Sequence, residues 1–415
     1  MKKKRIYLDN AATTSLDPRV KRVMDPYWEK VYGNPSGIYE EGRRAKEALE
    51  GARREVASFI NSSSDEIIFT GGGTESNNLA IFGVAETIKE LVYSRTGAKG
   101  NSTGAKFSEG LKLHIITTKI EHKSVLVSCL ELEKRGFDIT YLKPDENGLI
   151  DPKELKAALK PETILVSVIY ANNEIGVIQP IKDMAKIIKD FRKKSKGVES
   201  GPYFHIDACQ ASGYLDMNVN NLGVDLMSAN GSKVYGPKGI GFLYKKKGIK
   251  LKPVIYGGGQ EKGLRSGTEN IPAIIGLAHA LKIIKEDKGK EVKRISKLRD
   301  DLLSGLMKNV PRVFLNGHKT KRLANNLNIS VLGVEGESVV LYMDALGVAI
   351  STGSACNSSD LEPSHVVNAL GKPVEYAHGS LRFSLGRYTS KEDINYVIKI
   401  FPDIIKKLRS ISAIE

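Results

Sequence analysis

Lys233 lies between two turns, Asn230-Gly231-Ser232 before it and Gly236-Pro237-Lys238-Gly239 after it. An amine at a loop edge, near small polar groups and backbone N–H groups, suits a Schiff base with an aldehyde that also carries a phosphate. The chain holds 63 Lys and Arg residues, and an ordinary surface lysine is the plain alternative for any one of them. Other groups must therefore converge on Lys233. Gly71-Gly72-Gly73-Thr74-Glu75-Ser76 follows an apolar run and precedes a helical pattern. A strand, a glycine turn and a helix aim N–H groups and the positive helix end at an anion. The turn is neither a Walker A sequence nor a Gly-x-Gly-x-x-Gly fingerprint. Asp207 closes the run Phe204-His-Ile-Asp. A buried carboxylate there pairs with a protonated pyridine nitrogen and makes the ring an electron sink. Gln210 reaches toward a phenolic oxygen, and His122 stacks on a ring or moves protons near neutral pH. Taken singly, the plainer readings prevail, with Asp207 as a helix N-cap, His122 as a capping or partly buried histidine and Gln210 as a surface residue; it is their occurrence together with Lys233 that argues for a site. Cys356 sits in Ser351-Thr-Gly-Ser-Ala-Cys-Asn-Ser-Ser359, a small, polar composition that suits a mobile loop with an exposed thiol. Cys129 and Cys209, in a helix and beside a strand end, are expected to be buried and inert.

The elements that position these residues alternate along the chain. Apolar strands are predicted at 66–70, 113–117, 138–142, 163–170 and 203–207, with helices at 18–32, 40–60, 77–92, 122–135, 152–160 and 181–194. Such βαβα alternation argues for a mostly parallel sheet with helices on both faces. Ligands bind such sheets outside the carboxyl ends of the strands, where Glu121-His122, Asn172-Asn173 and Asp207 fall. Residues 93–110 read as a surface loop, and 274–308 as a long helix linking two domains. Beyond it lie a strand at 326–331, a helix at 338–346, a loop and two more helices.

At 415 residues the chain is long enough for two domains, and 41% hydrophobic with 27% charged content is that of a soluble globular protein. No apolar run reaches a membrane span of ~18–20 residues. Met1-Lys-Lys-Lys-Arg5 is basic, but the apolar stretch after it fails too early for a signal peptide, so a cytoplasmic protein is expected. Three scattered cysteines exclude a disulfide framework or an intrinsic metal cluster. The net charge of +15 suits acidic partners or anionic substrates, but a solvated lysine-rich surface is the plainer reading of it. No basic run is interleaved with aromatics as in a single-strand groove, so direct nucleic-acid binding is not expected.

The motifs together carry a resemblance. Tyr7-Leu-Asp-Asn-Ala-Ala-Thr-Thr14, Gly33-Asn-Pro35, Thr74-Glu-Ser-Asn77, Glu121-His-Lys123, Asn172-Asn-Glu-Ile-Gly-Val177, His205-Ile-Asp-Ala-Cys-Gln210, Lys233-Val-Tyr-Gly-Pro-Lys-Gly239, Arg265-Ser-Gly-Thr268, Gly353-Ser-Ala-Cys356 and Arg382-Phe-Ser-Leu-Gly-Arg387 run the length of the chain. The chain resembles the cysteine desulfurases of the NifS/IscS type, fold-type I transferases dependent on pyridoxal 5'-phosphate. The resemblance implies an α/β large domain over 15–287 with a mostly parallel seven-stranded sheet. It implies a smaller α+β domain from 1–14 and 288–415, carrying the cysteine loop at about 351–360. It implies conversion of L-cysteine to L-alanine, with sulfur passed as an enzyme persulfide to an iron–sulfur scaffold protein and other acceptors, tRNA thiolation among their uses. Lys233 matches the Schiff-base lysine. Gly73 and Thr74 match the positions that hold the phosphate, with Asn230 and Ser232 in the same cradle. His122 matches the residue stacked on the ring, Asp207 the pyridinium partner, and Asn173 and Gln210 the side chains near the phenolic oxygen. Thr268 matches a threonine that reaches the neighbouring subunit's phosphate, which implies a homodimer. Asn34 and Arg382 match the groups that bind the substrate carboxylate. Cys356 matches the sulfur-accepting nucleophile, and it is the residue placed to ligate a transferred iron–sulfur cluster. Two positions depart from the pattern. Ser232 stands where the family has a phosphate-binding histidine, and Tyr39 replaces the histidine after Asn-Pro-Ser.

Overall fold

In the computed structural model, residues 5–96, 112–194, 201–352 and 363–411 are described. Cys356 lies outside them, as does most of the 93–110 stretch. The strands are β1 (Ile6–Tyr7), β2 (Ile67–Thr70), β3 (His114–Thr118), β4 (Asp138–Leu142), β5 (Thr163–Ile169) and β6 (Tyr203–Asp207). They continue with β7 (Leu226–Asn230), β8 (Gly241–Lys245), β9 (Val313–Leu315), β10 (Asn326–Val331), β11 (Val348–Ala349) and β12 (Ser380–Ser384).

The central sheet has seven strands in the order β2-β8-β7-β6-β5-β3-β4. Only β8 runs antiparallel to its neighbours; the other pairs are parallel. All seven residues of β5, Thr-Ile-Leu-Val-Ser-Val-Ile, are buried, as expected of a strand covered on both faces. Helices Gly73–Thr96 and Lys123–Lys134 cover one face, packing Ile81, Val84, Val125 and Leu132 with Ile115 and Leu243. Helix Glu40–Ile60, helix Ile181–Lys194 and the start of helix Ile271–Asn309 cover the other, over Val166, Ile206 and Phe242. A second core surrounds the antiparallel sheet β12-β10-β9 and takes in helix Lys391–Ile411 and Ile6 of β1, which pairs with β11. The 39-residue helix Ile271–Asn309 enters both cores, with Ile274 to Ile284 in the first and Ile295 to Leu306 in the second.

Several boundaries differ from the sequence expectation. The helix predicted over 18–32 is two, Pro18–Met24 and Pro26–Glu29, because Pro26 has no N–H to donate back into the first. The helix predicted from 77 begins at Gly73, so Thr74 belongs to its first turn, and it runs on through residue 96 into the predicted loop. Past residue 346 the described residues form three further helices, and also β12, which the sequence reading missed. Among the described residues no helix is long and apolar enough to cross a membrane, and no His, Cys, Asp or Glu cluster could hold a metal ion.

Candidate active site

Lys233 ends the short 3-10 turn Gly231–Lys233 that follows β7. Its Nζ donates to the backbone oxygen of Ala12. Thr14 secures the same turn: its N–H and hydroxyl both donate to Ser232 O, at 2.8 and 3.0 Å, and its hydroxyl accepts from Tyr235 N at 2.8 Å. Tyr235 holds φ at 60°, a conformation disfavoured for a bulky side chain, so the turn is over-determined by its surroundings. One of those surroundings is Arg387, whose N–H donates to the Tyr235 hydroxyl at 2.6 Å.

At the end of the neighbouring strand β6, the Asp207 carboxylate is held at both oxygens. Cys209 N donates to Oδ1 at 3.0 Å and Asn77 Nδ2 to Oδ2 at 2.7 Å. Asn77 uses its second amide hydrogen on Ser124 Oγ at 2.8 Å. Ser124 Oγ lies 2.8 Å from His122 Nδ1, which also accepts from Ser124 N at 3.1 Å. His122 is therefore the N-cap of helix Lys123–Lys134, as the alternative reading had it. The cap also fixes the ring: with Nδ1 accepting, the neutral imidazole carries its proton on Nε2. A single carboxamide on the helix opposite thus ties the Asp207 carboxylate to the His122 ring. Sequence reasoning quoted Asn77 within a motif but gave it no role. The available signal was its place one helical turn after Thr74, on the face toward the strand ends.

Glu121 lies fully buried beneath this network. Its Oε1 accepts from Ile169 N and Thr118 Oγ1, both at 2.8 Å, and its Oε2 has no partner. Burial pushes its carboxyl from 4.5 up to about 8. Between those values the folded protein keeps a proton that the unfolded chain has released, so this residue makes stability fall as pH rises through that window. Glu121→Gln keeps an acceptor for Ile169 and Thr118 but cannot ionise. Denaturant unfolding at pH 5 and at pH 8 should show a smaller loss of stability in the variant than in the wild type. An equal loss would mean that Glu121 is ionised in the folded state.

The start of helix Gly73–Thr96 packs closely on the same strand ends. A Cβ at Gly73 would lie 2.5 Å from Cys209 Sγ and 3.2 Å from Asn230 Nδ2, so only glycine fits. Asn173 and Asn230 each keep a buried carboxamide oxygen without a partner. Thr74 lies in the first turn of this helix, Asn230 packs against Gly73, Ser232 lies in the turn that carries Lys233, and Arg265 joins the helix start by an ion pair to Glu75 at 3.0 Å. Thr268, on the loop after Arg265, is exposed. Open backbone N–H groups at a helix start beside small polar side chains fit a phosphate, and the held carboxylate of Asp207 fits a protonated ring nitrogen. Gln210 is buried and its Nε2 donates to Ala11 O at 2.9 Å. Cys129 and Cys209 are buried thiols; burial pushes Cys129 up to about 12 and Cys209 well above its ordinary value.

Arg382 comes from β12 and is only 3% exposed. Its Nη1 donates to Asn173 O at 3.0 Å and its Nη2 to Asp9 Oδ1 at 2.7 Å. Its backbone forms a bridge with Ser351, the last residues described before Cys356 being Ser351 and Thr352. On the far side of Cys356, Ser364 donates to the buried Glu174 carboxylate, and His365 Nε2 lies 3.0 Å from Glu121 O. One flank of the cysteine segment is thus fastened to the middle of β12 and the other beside the ends of β3 and β5. Asn34 stands apart: it is exposed, its carboxamide accepts from Ser36 N at 2.9 Å, and no hydrogen bond among the described residues joins it to Arg382.

The family model for class-V aminotransferases matches residues 6–111 and 109–397. The chain is 48% identical over 410 residues to the cysteine desulfurase IscS of Dictyoglomus turgidum, covering 99% of this chain and 97% of that one. It is 45% identical to the IscS of Methanosarcina thermophila, covering 99% and 94%. Among solved structures, a NifS-like protein superimposes with a TM-score of 0.86 at 35% identity, covering 98% of this chain and all of that one. SspA in complex with cysteine gives 0.75 at 32% identity, covering 93% and 100%. With this match over nearly its whole length, and with a lysine, a held aspartate and a buried arginine gathered at the strand ends, the chain belongs to the class-V aminotransferase family, among the cysteine desulfurases of the NifS/IscS type.

Proposed function

We propose that the protein binds pyridoxal 5'-phosphate on Lys233, converts L-cysteine to L-alanine, and keeps the sulfur as a persulfide on Cys356. The observation that carries this reading is the placement at one set of strand ends of a lysine, a doubly held aspartate and a buried arginine. Gly73, Thr74, Asn230 and Ser232 would hold the phosphate, His122, Asn173, Asp207 and Gln210 the ring, and Arg382 with Asn34 the substrate carboxylate. When bound, the cofactor supplies the electron sink for charge developing at Cα. Arg382 orients the amino acid by its carboxylate. The Lys233 amine, steadied by Ala12 O, takes the Cα proton. Asp207, locked by Asn77 and Cys209 N, keeps a ring nitrogen protonated. His122 Nε2 sits as the proton donor or acceptor at the substrate thiol. The Cys356 thiolate attacks the substrate sulfur, the Cβ–S bond breaks with its electron pair left on Cβ, and protonation there gives the methyl group of alanine.

The reading extends to release of the persulfide sulfur to an iron–sulfur scaffold protein or another acceptor, and the likeness to cysteine desulfurases named IscS supports it. A homodimer is supported by the exposed apolar side chains Tyr32, Ile38 and Tyr39, and by Tyr256 on the loop leading to the exposed Thr268. The test is mass spectrometry after incubation of the holoenzyme with L-cysteine. Peptides containing Cys356 should gain the mass of one sulfur atom, and Cys356→Ala should form external substrate complexes without sulfide or persulfide. Alanine formation at the wild-type rate by Cys356→Ala would sink the persulfide route.

A further inference from the structure

Arg382, the residue assigned to the substrate carboxylate, is already engaged. Its Nη2 donates to Asp9 Oδ1 at 2.7 Å, an ion pair in which the arginine side chain is 3% exposed and the aspartate 17%. Its Nη1 donates to Asn173 O at 3.0 Å. A guanidinium binds a carboxylate best through two parallel N–H groups, and here both terminal nitrogens have acceptors before any substrate arrives.

Asp9 is not needed to aim Arg382. The backbone of Arg382 is held from both sides, by Asn328 of β10 and by Ser351. Asn173 O fixes one end of the guanidinium plane. What Asp9 adds is a negative charge on the face where a substrate carboxylate must land. Its main chain is anchored separately, since Asp9 O accepts from Ala12 N at 3.1 Å and from the Tyr7 hydroxyl at 3.0 Å. The side chain can therefore turn outward while the segment stays in place, and it is the less buried partner of the pair.

We propose that Asp9 is a built-in competitor for Arg382: the substrate carboxylate must displace the Asp9 carboxylate, and this exchange sets how tightly the enzyme holds its amino acid. Asp9 acts through Arg382 and is a positioning residue. The competition holds affinity for substrate and product down, and it rejects carboxylates that bring no further contact to the site. The inference rests on the reading of Arg382 as the carboxylate site.

The test uses the holoenzyme, with KM and kcat for L-cysteine and dissociation constants for L-alanine and 3-mercaptopropionate, a carboxylate without the amino group. Asp9→Asn is nearly isosteric and keeps the backbone bonds. It should lower KM and tighten 3-mercaptopropionate about tenfold, equivalent to about 1.4 kcal/mol, with a smaller change in kcat. Asp9→Ser should act in the same direction, and Asp9→Glu should restore wild-type affinity. Equal or weaker carboxylate binding in both Asp9→Asn and Asp9→Ser would overturn the proposal and make Asp9 an orienting group. Arg382→Lys separates the two claims: if it leaves 3-mercaptopropionate affinity unchanged, the assignment of Arg382 has failed, and the competition falls with it.

Discussion

Lys233→Ala should lose alanine formation from L-cysteine by a factor on the order of 10⁴, because one substitution removes both the covalent anchor and the base at Cα. The purified variant should also lose the visible absorbance of a covalently held pyridoxal group. The fold should survive. Ala12 O loses the Nζ donor, but Thr14 keeps both its bonds to Ser232 O and its bond to Tyr235 N, so the turn remains pinned. One lost hydrogen bond at a part-buried carbonyl costs about 1 kcal/mol. Near-normal turnover with an intact circular dichroism spectrum would refute the role of this lysine.

Asp207→Asn should be nearly as damaging to catalysis, with a different signature. Asn77 Nδ2 and Cys209 N both donate to the carboxylate. An asparagine can accept at one position only, so its amide nitrogen would face one of two buried donors, at a cost of about 1–3 kcal/mol. The negative charge opposite the ring nitrogen disappears at the same time. Exchange of the Cα hydrogen of L-cysteine for deuterium should slow on the order of 10²–10⁴-fold. The visible absorbance should remain, since Lys233 and the phosphate cradle are untouched. Unchanged exchange would reduce Asp207 to a turn-forming residue that caps Cys209.

How much of this was legible in the chain differs from one element to the next. The parallel strands were plain, because β5 and β6 are apolar runs bounded by turn residues, and Asp207 at a strand end followed from them. Lys233 was legible from its two flanking turns. Pro26 carried a readable helix break that the periodicity of 18–32 overrode. β12 was hidden because Leu381-Arg-Phe-Ser places a charge inside a fully buried strand, and the partners of that charge, Asp9 and Asn173 O, are remote in sequence. The residues that finish the site lie 373 positions apart for Asp9 and Arg382 and 221 for Ala12 and Lys233. Contacts at such separations leave no local period to read. The double use of the Asn77 amide, and the burial that keeps Glu121 protonated, likewise exist only once helix and sheet have packed.

Placement of residues 8–10 against β12 orders events on the ribosome. Asn10 N donates to Ser384 O at 3.1 Å, and Ser384 N to Leu8 O at 2.7 Å. At ~5–20 residues per second, roughly 20 to 75 seconds of synthesis separate these partners. Meanwhile the strands β2 to β8, with the lysine turn and the glycine-bounded helix start, have all emerged and can assemble into the first core. On the proposed function, the nascent chain gains the residues assigned to the phosphate and the ring long before Arg382, the residue assigned to the amino acid, is made. On that reading, the order of the sequence places loading of the prosthetic group ahead of competence for sulfur chemistry.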